Sequence, residues 1–193
     1  MQTYGIYKNI RDNAWKCLID FKIDKLPVDV LKIADEANVT VIKNSSVGLL
    51  RAKEYGRSYY DGKHWYIVYD DSAPVECSRF TVAHELGHYF LGHQLQYVKY
   101  SRIREVKKVP VSEKQANRFA ARLLCPACVL WKLNINTAEE LASVCKVDIS
   151  VAQIRMKRLK ELRNRNKFFT SPLEKEMFSM FEEYLERENR SFF

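Results

Sequence analysis

Three of the four histidines lie in the segment RFTVAHELGHYFLGH, residues 79–93. His84 and His88 are four positions apart, and Glu85 directly follows the first of them. Four helical residues turn the chain by about 400°, so a helix would place both imidazoles on one face, one turn apart. Two imidazoles at this spacing can reach one zinc ion at about 2.0–2.1 Å. Glu85 would then lie beside the metal as a general base for a water molecule whose pKa zinc lowers to about 7.

His93 is the next histidine along the chain, but its position argues against a role as the third ligand. It follows His84 by nine residues, about 900° of helix, and so falls on the opposite side of the helix. The three-histidine pattern HExxHxxGxxH requires glycine and histidine where this chain has Leu91 and Gln94. We therefore expect the His93 ring, partly positive, to meet the free carbonyls at the helix C-terminus.

A carboxylate from a second helix is the other standard third ligand of such sites. The downstream candidates are Glu105, Glu113, Glu139 and Glu140. Glu113 begins a helical stripe in which Ala116 and Ala120 are small enough for a close approach to the first helix. Asn117, one turn after Glu113, could hydrogen-bond a ligand histidine. Gly87 costs about 1 kcal/mol against alanine inside a helix, which is understandable if another segment passes close by.

Two helices must position these residues, and both have recognisable ends. Pro74 suits the first turn of a helix that runs through the histidine pair and stops at Gly92. Ser112 and Gln115 match a capping box at the start of a second helix, and Pro126 marks its end. The sequence thus predicts that two successive helices carry the site.

Strand patterns precede these helices. VTVI (39–42) reads as a short strand, and RSYY (57–60) and HWYIVYD (64–70) read as two more, joined by a turn at Asp61-Gly62. We expect HWYIVY to be a sheet edge on which an extended substrate pairs. The candidates for stabilising an oxyanion are His64, Tyr89 and Tyr97. The pattern predicts an α+β fold with a small antiparallel sheet packed on helices.

The remaining segments read as helical. Residues 4–21 carry an apolar stripe, and residues 137–162 read as helix, short turn, helix, with Thr137 and Asp148 as N-caps. The segment from Ser171 onward is predicted to be one further amphipathic helix.

Composition limits the class of protein. The 47% hydrophobic and 29% charged residues are ordinary for a globular protein. Neither a signal-peptide pattern nor an apolar run of about 18 residues is present, so we expect a cytoplasmic protein without a membrane span. The net charge of +8 favours an acidic partner or nucleic acid, although a solvated helix face would give the same balance.

The five cysteines are odd in number and scattered, unlike a secreted disulfide framework. The CPAC motif at 125–128 could be a redox pair or half of a zinc site. The alternative is that two burial-prone residues bracket a helix-ending proline.

RFTVAHELGHYFLGH, followed at residues 113–126 by EKQANRFAARLLCP, resembles the ImmA/IrrE family of zinc metallo-endopeptidases. Those proteins pair an FTxAHELGH helix with an ExxANxFAAxLLMP helix. The similarity covers roughly residues 27–160, including LPVDVLKIADEANVTVI before the strands. It implies a zincin-like, gluzincin-type domain with one Zn²⁺ held by His84, His88 and Glu113, and with Glu85 as the general base.

The resemblance also implies a substrate, namely a helix-turn-helix repressor of mobile-element or stress-response genes. Many relatives carry a DNA-binding domain upstream, and this chain begins close to the peptidase segment, so we expect a separately encoded repressor. We expect the peptidase domain over residues 1–130 and a helical region over 131–193.

Residues 137–162 are similar to a helix-turn-helix, since LASVCKVDISVAQIR resembles LAxxxGVSxxxVxxR, with Lys146 where glycine is expected and Asp148 where serine is expected. Direct DNA binding would use Arg155, Lys157, Arg158 and Lys160. A packing or partner-docking element is the alternative interpretation. Two other functions stay open: a non-catalytic repressor- or DNA-binding regulator with a vestigial metal site, and a zinc hydrolase for a substrate other than protein.

Overall fold

The computed structural model describes residues 2–93, 100–103 and 110–190. The helices are α1 (Gln2–Asp20), α2 (Val30–Glu36), α3 (Asn44–Val47), α4 (Val75–Phe90), α5 (Val111–Leu124), α6 (Ala127–Lys132), α7 (Ala138–Cys145), α8 (Ile149–Asn164), α9 (Pro172–Ser179) and α10 (Glu182–Arg190). The strands are β1 (Val39–Lys43), β2 (Glu54–Tyr60), β3 (Trp65–Tyr69) and β4 (Tyr100–Ile103). None of the described helices is both long enough and apolar enough to cross a bilayer.

The chain forms two compact units. The first, here called the sheet unit, comprises Val30–Ala120, and the second, the helical unit, comprises Met1–Asp29 with Ala121–Phe193. The division into a peptidase domain and a helical region at residue 130 stays a prediction; within the helical unit, α1 packs against α9. The apolar stripe of α1 therefore finds its partner at the other end of the chain, which no local pattern reveals.

The sheet has the strand order β1-β3-β2-β4. The β2–β3 hairpin is antiparallel, as predicted, and β4 also pairs antiparallel with β2. β1 pairs with β3 in parallel, so the sheet is mixed rather than wholly antiparallel. The predicted fold class, a small sheet packed on helices, is confirmed. The expectation that HWYIVY forms an edge is wrong, because β3 has its backbone bonded on both sides.

Helix α4 packs on β2 and β3. The face of β2 that is buried carries Glu54, Gly56 and Ser58 instead of apolar residues. A Cβ at Gly56 would collide with the methyl group of Thr81 in α4, so glycine is needed for this strand and helix to lie so close. The inner face of β2 is therefore small and polar where it meets the helix that carries the histidine pair.

In the helical unit, α7 and α8 pack on each other as the predicted helix-turn-helix. Thr137 and Glu140 form a capping box at α7, and Asp148 caps α8 through the backbone N–H of Ser150. Lys146 has a φ of 51°, so a lysine occupies the left-handed turn position where glycine is usual. The predicted single helix after Ser171 is instead two, α9 and α10, with a break at Met180.

None of the five cysteines forms a disulfide. Cys17, Cys125, Cys128 and Cys145 are buried, whereas Cys77 in α4 is partly exposed. Burial raises the pKa of the Cys17 thiol and raises that of Cys128 to about 12. Pro126 lies between the two cysteines of CPAC as the N-cap of α6. The burial of both CPAC thiols and the high pKa of Cys128 favour the packing interpretation of CPAC over a redox or metal role.

Candidate metal centre

His84, His88 and Glu113 converge in the sheet unit, with one ligand atom of each within 4.8 Å of the others. The Nε2 atoms of His84 and His88 are 3.1 Å apart. The two oxygens of Glu113 lie 3.2 Å from these nitrogens, Oε2 from His84 and Oε1 from His88. Within the described residues this is the one cluster of its kind. Both imidazoles are buried, and the Glu113 side chain is 16% exposed.

The spacing of these atoms fits a tetrahedral zinc ion. Ligand atoms bound at 2.0–2.1 Å around a tetrahedral centre lie about 3.3–3.4 Å from one another. The observed separations of 3.1 and 3.2 Å are close to that value. Two imidazole nitrogens and a carboxylate are also a donor set that zinc commonly accepts. The three residues are therefore able to hold one metal ion.

The electrostatics of Glu113 suit a charged ligand. Burial alone would raise the pKa of this carboxyl group, but hydrogen bonds and charge attraction from His84 and His88 outweigh it and lower the pKa to about 2. Glu113 is thus ionised at neutral pH, and ionised carboxylates are the form that binds metals.

Close packing of α4 against α5 sets this geometry. A Cβ built on Gly87 would lie 3.1 Å from the Cα and 3.2 Å from the carbonyl oxygen of Ala116, and 3.1 Å from Cδ1 of Phe119. The predicted purpose of Gly87, to admit another segment, is confirmed, and Ala116 is one of the small residues expected to allow it. Glu113 lies one turn before Ala116, so the contact fixes its carboxylate opposite the histidine pair.

Asn117 makes the contact that the sequence predicted. Its Oδ1 lies 3.0 Å from Nδ1 of His84. An amide oxygen only accepts hydrogen bonds, so Nδ1 of His84 must carry the proton. In a neutral ring Nε2 then keeps its lone pair, and this is the nitrogen that faces the cluster.

His93 lies outside the metal cluster, as expected, but its ring does not meet helix carbonyls. Its Nδ1 is 3.1 Å from Nδ1 of His88, and its Nε2 is 2.9 Å from Oε1 of Gln115. Burial and then repulsion from His88 lower its pKa. The predicted capping box of Ser112 and Gln115 is also wrong. Helix α5 begins at Val111, one residue before Ser112, and the side-chain oxygen Oε1 of Gln115 contacts His93.

Glu85 is fully buried beside the histidine pair. Its Oε2 accepts a hydrogen bond of 2.6 Å from Oγ of Ser58, which is itself 1% exposed. Sequence reasoning missed Ser58. The signal that could have found it is the alternation in β2, where a polar residue occupies an inward position facing α4.

A cavity of about 710 Å³ lies against the cluster and includes His88 and His93 in its lining. Its other walls include the aromatic residues Tyr60, Trp65 and Tyr89, together with polar side chains such as Asn38 and Lys63. Tyr89 packs edge-on against Trp65 with ring centroids 5.4 Å apart. Apolar walls next to polar ligand atoms are typical of sites that bind organic groups.

Two of the three oxyanion candidates line this cavity. His64 is exposed at its rim, and the Tyr89 hydroxyl donates to the carbonyl oxygen of Ala37 at 3.4 Å. Tyr97 lies outside the described residues, as does the alternative ligand Glu105. The remaining alternatives, Glu139 and Glu140, are in α7, where Glu140 belongs to the capping box.

The basic residues proposed for DNA binding do not share one environment. Lys157, Arg158 and Lys160 are exposed on α8, and Arg158 pairs with Glu161 at 2.6 Å. Arg155 is buried, and its Nε donates to the carbonyl oxygen of Cys125 at 2.8 Å. Arg155 therefore does not offer its guanidinium to a nucleic acid, and the proposed set loses this member.

Comparison with known protein families agrees with the geometry. A peptidase family model, M78, described as the IrrE N-terminal-like domain, matches residues 34–157, which is more than half of the chain. The match contains the histidine pair, Glu85 and Glu113. No curated protein matches the chain. This chain belongs to the ImmA/IrrE family of metallopeptidases.

Proposed function

We propose that this protein is a zinc-dependent endopeptidase that cleaves a separately encoded helix-turn-helix repressor and so relieves repression. The observation that carries the peptidase chemistry is the set of three side chains whose nitrogen and oxygen atoms approach one another to 3.1–3.2 Å beside the buried Glu85 carboxylate. The choice of a repressor as substrate is supported by the family resemblance alone.

His84, His88 and Glu113 would hold the metal, and Asn117 would keep the His84 ring turned toward it. Zinc in such a site supplies Lewis-acid polarisation and lowers the pKa of water to about 7. Glu85 accepts a proton from the attacking water and passes it to the leaving amine. Ser58 donates to Oε2 of Glu85 and thereby orients the carboxylate.

The aromatic cavity beside His88 would receive an apolar side chain of the peptide next to the scissile bond. Its walls offer Tyr60, Trp65 and Tyr89, and Lys63 at the lining adds one positive charge. Large apolar side chains gain roughly 1.5–3 kcal/mol on burial in such surroundings. The cavity would therefore favour substrates with an aromatic or aliphatic residue at that position.

The test is cleavage of purified helix-turn-helix repressors from the same genome, beginning with any that is encoded beside this gene, by the purified protein and by Glu85→Gln. Loss of a general base costs about 10²–10⁴-fold in rate. We expect that loss in Glu85→Gln while one zinc per chain is retained, as measured by metal analysis. Glu176→Gln, which alters an exposed glutamate of α9, is the matched control and should cleave at the wild-type rate.

Two outcomes would contradict the proposal in different places. Cleavage by Glu85→Gln at the wild-type rate would refute the mechanism. Cleavage of a generic peptide library, with the repressor left intact, would refute the proposal that a repressor is the substrate. The proposal of peptidase activity would still stand.

Direct DNA binding through α8 is a second proposal, supported by the exposure of Lys157, Arg158 and Lys160. The readout is a gel shift with the wild-type chain and with the Lys157→Ala, Arg158→Ala double variant. Phosphate contacts by these residues would weaken binding and reduce its salt dependence in the variant. An identical affinity in both proteins would remove this proposal.

A further inference from the structure

Three side chains form a continuous line of contacts that ends at the metal cluster. Nε2 of His93 lies 2.9 Å from Oε1 of Gln115, and Nδ1 of His93 lies 3.1 Å from Nδ1 of His88. Nε2 of His88 is the atom that faces Glu113 and His84. The line of contacts therefore runs from Gln115 through the ring of His93 and then the ring of His88 to Nε2 of His88, a candidate metal ligand.

A turn of the backbone at the end of α4 places the ring of His93 against the ring of His88. Gly92 has a φ of 62°, and the N–H of His93 donates to the carbonyl oxygen of His88 at 3.1 Å. This is the six-to-one hydrogen bond of a Schellman motif, in which a left-handed glycine turns the chain back over the last helical turn. His93 thus sits against His88 although nine residues of helix would have carried it away from His84.

The direction of the protons along this line follows from the acceptor at its far end. The carbonyl oxygen of Gln115 can only accept, so Nε2 of His93 carries a proton. In a neutral imidazole Nδ1 of His93 is then an acceptor, and the proton shared with His88 belongs to Nδ1 of His88. Nε2 of a neutral His88 keeps its lone pair, which is the state that binds a metal.

We propose that His93 and Gln115 are positioning residues that hold His88 in the Nδ1–H tautomer with Nε2 directed at the metal. This rests on the proposed function only in that His88 is taken as a ligand. Ligand histidines usually donate their other N–H to an oxygen atom, as His84 does to Asn117. For His88 a second histidine does this work, and Gln115 on α5 sets that histidine's own tautomer.

Gln115 and Glu113 lie on the same helix, two residues apart. Because α5 carries both, the segment that supplies the third ligand also supplies the group that orients the second. The close contact of α5 with α4 at Gly87 and Ala116 would therefore bring in the third ligand, and at the same time it would fix which ring nitrogens of His93 and His88 carry protons.

The first experiment measures the zinc dissociation constant by chelator competition, without any substrate. Loss of a hydrogen-bond partner of a ligand typically costs about 10–100-fold in metal affinity. We expect His93→Leu to raise the Kd by that factor, and His93→Asn, whose Oδ1 can accept from Nδ1 of His88, to restore most of it. A Kd for His93→Leu equal to that of the wild type would overturn the proposal, as would a His93→Asn variant no better than His93→Leu.

Gln115→Ala should raise the Kd less than His93→Leu, because His93 would remain but its two tautomers would both be populated. Gln153→Ala, at an exposed glutamine of α8, is the matched control and should leave the Kd unchanged. Thermal unfolding of the metal-free variants separates loss of folding from loss of affinity. If Gln115→Ala binds zinc as tightly as the wild type, Gln115 has no part in the arrangement.

The second experiment reads the tautomer of His93 directly from ¹⁵N chemical shifts of its ring in the zinc-loaded protein, where Nε2 of His88 would bind the metal and the proton of His88 would lie on Nδ1. We expect Nε2–H for His93, with its Nδ1 as the acceptor, and both tautomers of His93 in Gln115→Ala. Nδ1–H for His93 in the wild-type chain would refute the proposal. Neither measurement involves peptide cleavage, so a failure here is distinguishable from a failure of the proposed peptidase activity.

Discussion

Two helix pairs of this chain place charged or polar side chains out of solvent, α4 with α5 and α7 with α8. In the first pair, His84, His88 and Glu113 direct their polar atoms at one another across 3.1–3.2 Å. In the second, Arg155 of α8 gives its Nε–H to the carbonyl oxygen of Cys125, which lies between α5 and α6, and burial lowers the pKa of Arg155. Buried polar atoms that share one focal point indicate a ligand site, whereas a buried charge bonded to main chain indicates a structural role.

The same contrast holds for what each pair exposes. The α4–α5 pair borders an aromatic cavity, while α8 exposes Ile154, 74% accessible, among lysines and arginines. Sequence similarity treated both pairs as functional motifs. The packing separates them, because only the first arranges its polar groups around a point where another species fits.

The largest effect expected is on metal binding at the first pair. Glu113→Gln keeps the size of the side chain but removes the charge that faces both imidazoles. Loss of a mere partner of a ligand already costs up to about 100-fold in affinity, so loss of this ligand should cost more than that. Chelator competition measures the Kd, with Glu176→Gln as control. An unchanged Kd would mean that Glu113 is not a metal ligand. The contrast between a ligand site at α4–α5 and a structural contact at α8 would then fail.

The next effect concerns stability at the second pair. Arg155→Ala would leave a cavity and an unsatisfied carbonyl group at Cys125, and should lower the free energy of unfolding by about 3 kcal/mol. Arg158→Ala, on the exposed side of the same helix, should lower it by less than about 0.5 kcal/mol. Urea unfolding of both variants is the measurement. Equal stabilities would mean that Arg155 is not the structural residue described here.

Gly87→Ala tests how tightly the first pair is packed. The added methyl group would meet Ala116 and Phe119 at 3.1–3.2 Å, and overpacking of this kind costs about 1–3 kcal/mol. Better helix propensity returns about 1 kcal/mol. We expect a net loss of about 1 kcal/mol together with weaker zinc binding, measured by thermal unfolding and chelator competition. A variant more stable than the wild type would show that α4 and α5 have room between them.

The smallest effect is expected at the cap of α8. Asp148→Ala should cost about 1 kcal/mol at neutral pH, because the backbone N–H of Ser150 loses its acceptor. The hydrogen bonds from Ser150 hold the pKa of Asp148 below its ordinary value. The cap therefore stabilises the fold at pH values above that ordinary pKa, and this stabilisation is lost as the pH falls through the lowered pKa. Unfolding curves of both proteins should therefore converge at low pH. A difference that stays constant to the lowest pH would exclude the carboxylate as the cause.

The parts of the site that sequence could predict are those set by one helix. The spacing of His84 and His88 is a property of the helix itself, and Gly87 and Asn117 follow from the need for a second helix nearby. Choosing Glu113 over other glutamates required the family resemblance. Ser58 was missed because its contact with Glu85 spans a strand and a helix, and a serine in a strand gives no signal by itself.

The fold was predictable to a similar depth. The hairpin of β2 and β3 follows from alternation and a turn, but the position of β3 inside the sheet depends on β1, which pairs with it from outside the hairpin. The partnership of α1 with α9 is likewise a choice among apolar faces far apart in sequence. His93 shows the limit most clearly: helical periodicity was right about its angle from His84, and the left-handed turn at Gly92 brought its ring back to His88.

The distribution of thiols gives this protein a convenient reporter. Four cysteines are buried, whereas Cys77 is partly exposed and lies on α4, two turns before His84. A maleimide fluorophore or spin label should react at Cys77 first and leave the native fold intact. Such a label would travel with the helix that carries the histidine pair, so spectra recorded during zinc titration would show any movement of α4 without a single engineered cysteine.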